Sequence, residues 1–261
     1  MKEPLPPPKV TRTPRHSLRW LMEVLWSLCS QRIILRYKET ALGFGWILLQ
    51  PVALTVIFNY IRRVANIPTN DVPYPLFAAT GLVAWSFTSL ALSQSVGSLE
   101  GNFSLLKRTY LPKILLPLST IFSALADLLV MVLLLVGLFF YYRFCPSIAI
   151  LWLIPLLVIH FALLVGLSAI FSVANVFLRD VGYAVPHLIW LWFFASPVFY
   201  PASMVPKEFK SIAQWNPITG LIEGYRSVLL GRTHPSMELL DPAGIMTALI
   251  LLVGLTLFRR L

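Results

Sequence analysis

The stretch Val181–Gly231 reads VGYAVPHLIWLWFFASPVFYPASMVPKEFKSIAQWNPITGLIEGYRSVLLG. Its first part, to about Tyr200, is apolar and long enough to cross a bilayer, which takes about 20 residues of helix. It is dense in rings: Trp190, Trp192, Phe193, Phe194, Phe199 and Tyr200. The part behind it is different. Ser211 to Ile222 carries no charge but is too short to span, is interrupted by Pro217 and Gly220, and runs into Glu223 and Arg226. Such a segment enters a membrane and returns only where protein or a water-filled cavity surrounds it. An aromatic span backed by two short helices, here 203–231, therefore anchors the reading of the chain as an all-α polytopic membrane protein.

Composition agrees. Of 261 residues, 57% are hydrophobic and only 12% charged, and the mean hydropathy is +0.77. A soluble domain of this size exposes far more charge. The formal net charge of +10 reads as Lys- and Arg-rich cytoplasmic loops rather than as a nucleic-acid surface. The N-terminus, MKEPLPPPKVTRTPRHSLR, is basic and proline-rich with no apolar core, so no cleavable signal peptide is expected. Cys29 and Cys145 fall on opposite sides of the membrane, which predicts no disulfide. His16, His160, His187 and His234 are scattered, none at metal-ligand spacing from another His or a Cys.

Working outward, residues 1–16 read as a disordered cytoplasmic tail, with prolines at 4, 6, 7, 8 and 14. Residues 17–38 read as an amphipathic interfacial helix. Arg19, Glu23, Ser27 and Ser30 form one polar stripe; Leu18, Leu21, Met22, Leu25, Leu28 and Cys29 fill the other side. A helix packed on a soluble core has the same pattern. Spans are expected at about 42–61, 74–98, 114–142, 148–178, 183–200 and 243–258. In the first, Gly43 and Gly45 predict close helix contact and Pro51 a kink. A short outer loop with Arg62, Arg63 and Asp71 leads to the second. Leu99, Phe103 and Leu106 then lie at helical spacing in a short surface helix ended by Pro112. Asp127 stands alone in the third span, either functional or partnered between helices, and by itself a poor proton relay. Six spans put both termini on one side. That side holds 14 of the 21 Lys and Arg residues, so it is the cytoplasmic one. No inverted repeat is visible, which argues against a secondary transporter.

No G-x-x-x-x-G-K-[ST] loop is present, so the chain does not hydrolyse nucleotide in the P-loop manner. Neither G-x-S-x-G nor H-E-x-x-H occurs, and no outer carboxylate pair is arranged for glycosyl chemistry. No catalytic residue and no metal ligand is assigned. The rings say more. Tyr183, His187, Trp190, Phe194 and Pro197 follow one another at spacings of four, three, four and three. One face of the fifth helix is thus a ladder, suited to stacking on the C–H faces of sugars. Rings against lipid or another helix give the same periodicity.

The chain resembles the permease subunit of type-2 ABC exporters, most closely the O-antigen (lipopolysaccharide) polysaccharide exporters. The resemblance covers about residues 30–258. It is carried by Arg36-Tyr37-Lys38 with Leu42-Gly43 and Trp46 to Pro51, by Gly81 to Trp85, and by Asn102 to Lys113. Asn175 to Val181, Ala195 to Pro201, Asn216-Pro217 and Ile222 to Arg226 continue it in order. The resemblance implies a homodimer of a multi-pass bacterial inner-membrane protein, docked to two copies of a separate cytoplasmic ABC ATPase. That partner binds ATP and Mg, and this chain carries no cofactor. The implied substrate is an undecaprenyl-diphosphate-linked polysaccharide moved from cytoplasm to periplasm. O-antigen is the first reading; capsular polysaccharide, teichoic acid or a small lipid or drug are alternatives. By resemblance, Trp46, Phe58, Trp190, Phe194 and Tyr200 line the channel. Leu99, Phe103, Leu106, Arg179 and Asp180 touch the ATPase. Arg32, Arg36, Tyr37 and Lys38 sit at the cytoplasmic gate beside the carrier head-group. Trp215, Asn216, Pro217, Glu223 and Arg226 belong to the periplasmic gate.

Overall fold

A computed structural model describes residues 18–38, 40, 43, 45–65, 72–108, 111–145, 148–231 and 233–260. The predicted tail at 1–16, and Leu42 at the start of the first predicted span, lie outside the described residues. Among the described residues all regular structure is helical: α1 Leu18–Tyr37, α2 Gly45–Ala65, α3 Tyr74–Val96, α4 Phe103–Arg108, α5 Leu115–Tyr141, α6 Leu153–Phe177, α7 Asp180–Ala195, α8 Lys207–Trp215, α9 Pro217–Leu229 and α10 Met237–Arg259. Short 3₁₀ turns precede α4 and α6 and follow α7.

The hub is α3, not the aromatic helix. It packs against α2, α5, α6, α7 and α9 and is apolar on nearly every side. A helix without a polar face belongs in an interior. A second layer forms where α6 and α10 lie along one another, with α8 and α9 across the end of α10. α1 lies along α5 and leaves Leu18, Met22 and Trp26 uncovered, the strip an interfacial helix needs. Arg19 and Glu23 pair on the predicted outer stripe.

Among the described residues five helices, α2, α3, α5, the α6 unit from Ile148, and α10, are long and apolar enough to cross a membrane. α7 is not. It ends at Ala195 after 16 residues, so the span expected at 183–200 is a shorter helix followed by five non-helical residues. At 1.5 Å per residue it covers about 24 Å of a hydrocarbon core about 30 Å thick.

The break read at Pro217 is present: α8 ends at Trp215 and Pro217 starts α9, with the Asn216 side chain accepting the Ile218 N–H as cap. Three other local readings are corrected. Gly220 does not break α9: a Cβ there would stand 2.3 Å from the Leu239 carbonyl oxygen, so the glycine lets α9 meet α10. Gly43 makes no close helix contact. Nothing lies within 4 Å of where its Cβ would be, and its φ of +51° marks a left-handed turn between α1 and α2. Arg62 and Arg63 lie in the last turn of α2 rather than in a loop, where cations suit the helix dipole.

Candidate functional site

Between α2, α3, α5 and α7 runs an open groove of about 760 Å³. α7 supplies one wall. It buries Val185, Ile189 and Phe193 against the molecule and turns Tyr183, His187, Trp190 and Phe194 outward. The ladder is therefore real as far as Phe194. Pro197 lies beyond the helix end and is buried. Trp190 and Phe194 touch edge to face at 4.8 Å and line the groove, as does the half-exposed Trp46 of α2.

Phe58 also lines the groove but is only 5% exposed: it stacks on Phe199 at 4.5 Å and backs the wall more than it presents a face. One predicted channel ring, Tyr200, is outside the groove. Its hydroxyl donates to the Phe194 carbonyl, and its ring lines a second, apolar cavity of about 1020 Å³ between the end of α7 and α8, with Phe209, Ile212 and Trp215.

At one end of the groove stands a polar cluster assembled from two distant segments. Asp127 of α5 is buried. It forms an ion pair with Arg36 and accepts a 2.8 Å hydrogen bond from the Tyr37 hydroxyl. Arg36 is itself three-quarters buried and lines the groove with Tyr37. One turn back, Arg32 Nε donates to Ser119 Oγ and the Cys29 thiol to the Ser119 carbonyl. Burial lowers the Arg32 pKa and raises that of Cys29. Arg32 and Arg36 thus occupy the face of α1 that meets α5. Lys38 is exposed.

The coupling candidates fall into two kinds. Leu99 is fully buried and Leu106 half-buried, in a small core with Leu116 and Val173; Phe103 points outward. The turn at Arg179-Asp180 is tied to them through Glu100, a residue sequence reasoning passed over. Glu100 accepts a 2.9 Å hydrogen bond from Asn175 Nδ2 and pairs with Arg179 at 3.6 Å.

At the far end, Arg226 closes the break after α7. Its guanidinium donates to the carbonyls of Pro197, Val198 and Tyr200 and to Glu223 Oε1, and lies 3.6 Å over the Phe77 ring. Gly81 of α3 makes room: a Cβ there would stand 2.4 Å from the Val198 oxygen and 2.8 Å from Arg226. Asn216 bonds Ser196 Oγ and accepts from Trp192 Nε1. Trp215 is half-exposed and Pro217 buried. A second buried link, His160 with Thr88 at 2.8 Å and Tyr225 at 3.2 Å, joins α3, α6 and α9. No sequence spacing announces it.

The sequence compares with known proteins over nearly its full length. It is 28% identical to an O-antigen export system permease protein of Klebsiella pneumoniae, over 95% of each chain. It is 26% identical to the protein of the same name from Myxococcus xanthus, over 90% of this chain and 91% of the other. A polysialic acid transport protein of Escherichia coli is 27% identical over 89% and 91%. The profile of the ABC-2 type transporter family matches residues 23–230, which hold the groove, the Glu100 turn and the Arg226 node. On that match and its apolar helices, the chain belongs to the ABC-2 type transporter family, as a multi-pass membrane permease.

Proposed function

We propose that this chain is the transmembrane subunit of an ATP-driven exporter that moves an undecaprenyl-diphosphate-linked polysaccharide from cytoplasm to periplasm. The channel runs between two copies, and two copies of a separate ATPase bind ATP and Mg. The carrying observation is the groove: ring-lined, open on one side, and bordered by an α7 whose outward face none of the described residues covers. A second copy set against that side turns two grooves into one passage. O-antigen is the cargo favoured by the relatives' names; capsular polysaccharide is the second reading, on the polysialic acid relative.

In this reading the protein crosses six times with both termini cytoplasmic. The fifth crossing is α7 with the segment behind it, whose carbonyls Arg226 satisfies. Arg36, Tyr37 and Asp127 meet the carrier head-group at the inner end. Phe103 and the Glu100–Arg179 turn touch the ATPase, and α8 with α9 closes the outer end. Replacing Trp190 and Phe194 together by Ala removes two ring contacts worth about 1 kcal/mol each, so export falls about tenfold or more while the dimer still assembles. Glycan reaching the far side of membrane vesicles, beside a cross-linking measure of assembly, checks this. Wild-type export by the double variant would remove the ring wall.

A further inference from the structure

Beyond Pro75 near its outer end, α3 is buried at every position except Ser86, Ser89, Leu90, Ser93 and Gln94. Three of these five are serines, and all three line the groove. At spacings of three and four they share one face of the helix. The other hydroxyls of α3 are engaged inside the protein. Thr80 and Ser95 donate to backbone carbonyls of their own helix, and Thr88 to its own helix and His160. Ser89 likewise donates to the Ser86 carbonyl, at 3.3 Å, but Ser86, Ser89 and Ser93 stand where the hub helix opens onto the groove, with acceptor oxygens facing it. Gln50 of α2 lines the same space.

The charge around this space is as telling. Among the described residues, the only charged side chains lining the groove are Arg36 and Asp127, and they are paired with each other. Arg62, beside the lining residue Ile61, lies over the Tyr74 ring at 5.5 Å. Among the described residues the groove thus has a ring wall on α7, a hydroxyl and amide wall on α3 and α2, and no unpaired charge. A pyranose has the matching anatomy: apolar C–H faces and a rim of hydroxyls. A polyanionic chain would bring one carboxylate per sugar past walls that offer hydroxyls and rings but no spare cation, and burying unpaired charge is strongly unfavourable.

We propose that the groove takes an uncharged glycan strand, its ring faces on Trp190 and Phe194 and its hydroxyl rim on Ser86, Ser89, Ser93 and Gln50, and that it disfavours a polyanionic strand. This rests on reading the groove as the glycan path.

The test uses membrane vesicles holding this chain with its ATPase. They are supplied with two undecaprenyl-diphosphate-linked polymers of equal length, one of neutral hexoses and one of hexuronic acids. The neutral polymer crosses about tenfold faster or more. Replacing all three serines by Ala slows it without loss of assembly or basal ATP hydrolysis. Ser89→Lys, which adds a cation to the wall, raises the hexuronate rate. Equal transport of the two polymers by the wild-type complex overturns the proposed charge selection. An unchanged neutral rate in the triple variant overturns the hydroxyl wall, and an unchanged hexuronate rate in Ser89→Lys moves the selection out of the groove. These three results leave the glycan path standing. Failure of both polymers in an assembled, ATP-hydrolysing complex overturns the path itself and this inference with it.

Discussion

Arg226 shows what a single side chain does here. Five residues after α7, Ser196 to Tyr200, are non-helical, and in or near a bilayer their carbonyls have no water to turn to. The guanidinium fork supplies donors to three of them at once from two nitrogens held in one plane, a reach that the single nitrogen of an ammonium lacks. Arg226→Met leaves those carbonyls and Glu223 without it and costs about 3–5 kcal/mol, the range for removing one partner of a buried charge network. Arg226→Lys recovers only part. Thermal unfolding in detergent is the measurement, and a methionine variant as stable as wild type would refute the clamp. Sequence reading placed Arg226 next to a broken segment but as part of a gate; that it feeds three carbonyls 26 to 29 residues upstream has no local signature. Asp127 is the same case. Its isolation in an apolar span is plain in the sequence, whereas its partners Arg36 and Tyr37 lie some 90 residues earlier.

Among elements, the contrast is between α3 and α7. Their sequences look alike in apolar content, yet α3 is enclosed and α7 is held along one stripe, Val185, Ile189 and Phe193. Periodicity found the outward ladder of α7 because that face is ring-bearing and regular. It missed the hub, because the narrow serine strip of α3 is too small to give an otherwise apolar helix a direction. The short helix after α3 was legible from Leu99, Phe103 and Leu106, but two of these turned out to hold it down and only Phe103 is offered outward. What links this helix to the α6–α7 turn is Glu100. Glu100→Lys removes the Asn175 acceptor and sets a like charge against Arg179. The exposed pair itself is worth under about 1 kcal/mol and leaving the buried Asn175 amide unpaired costs about 1–3 kcal/mol, so stability falls modestly and the complex still assembles. Export falls while ATP hydrolysis continues, assayed together on one vesicle preparation. If the two rates stay in their wild-type ratio, the turn does not transmit the ATPase stroke.

At the scale of the molecule, the proposed topology of six crossings with both termini cytoplasmic, which the Lys and Arg distribution supports, is testable at the cysteines. That topology puts Cys145, exposed between α5 and α6, on the periplasmic face, whereas Cys29 lies against α5 with its thiol on the Ser119 carbonyl. Burial raises the Cys29 pKa, which further lowers its thiolate fraction at neutral pH. A membrane-impermeant maleimide added to spheroplasts therefore labels Cys145 and spares Cys29. Labelling of Cys145 only after lysis would invert the topology, and with it the direction of the groove.

The sequence alone determined the helical membrane class, the positions of most helices to within a few residues, the ring face of α7 and the family resemblance. Each rests on apolar length, local period or short motifs, which are properties of neighbouring residues. Only the tertiary structure decided that α3 is the hub and opens through serines, and that α7 stops short of a full crossing. It alone joined Asp127 to Arg36, Glu100 to Asn175 and Arg179, and Arg226 to the carbonyls after α7. Those pairings depend on which helices pack together and at what height, and no spacing along the chain carries that information.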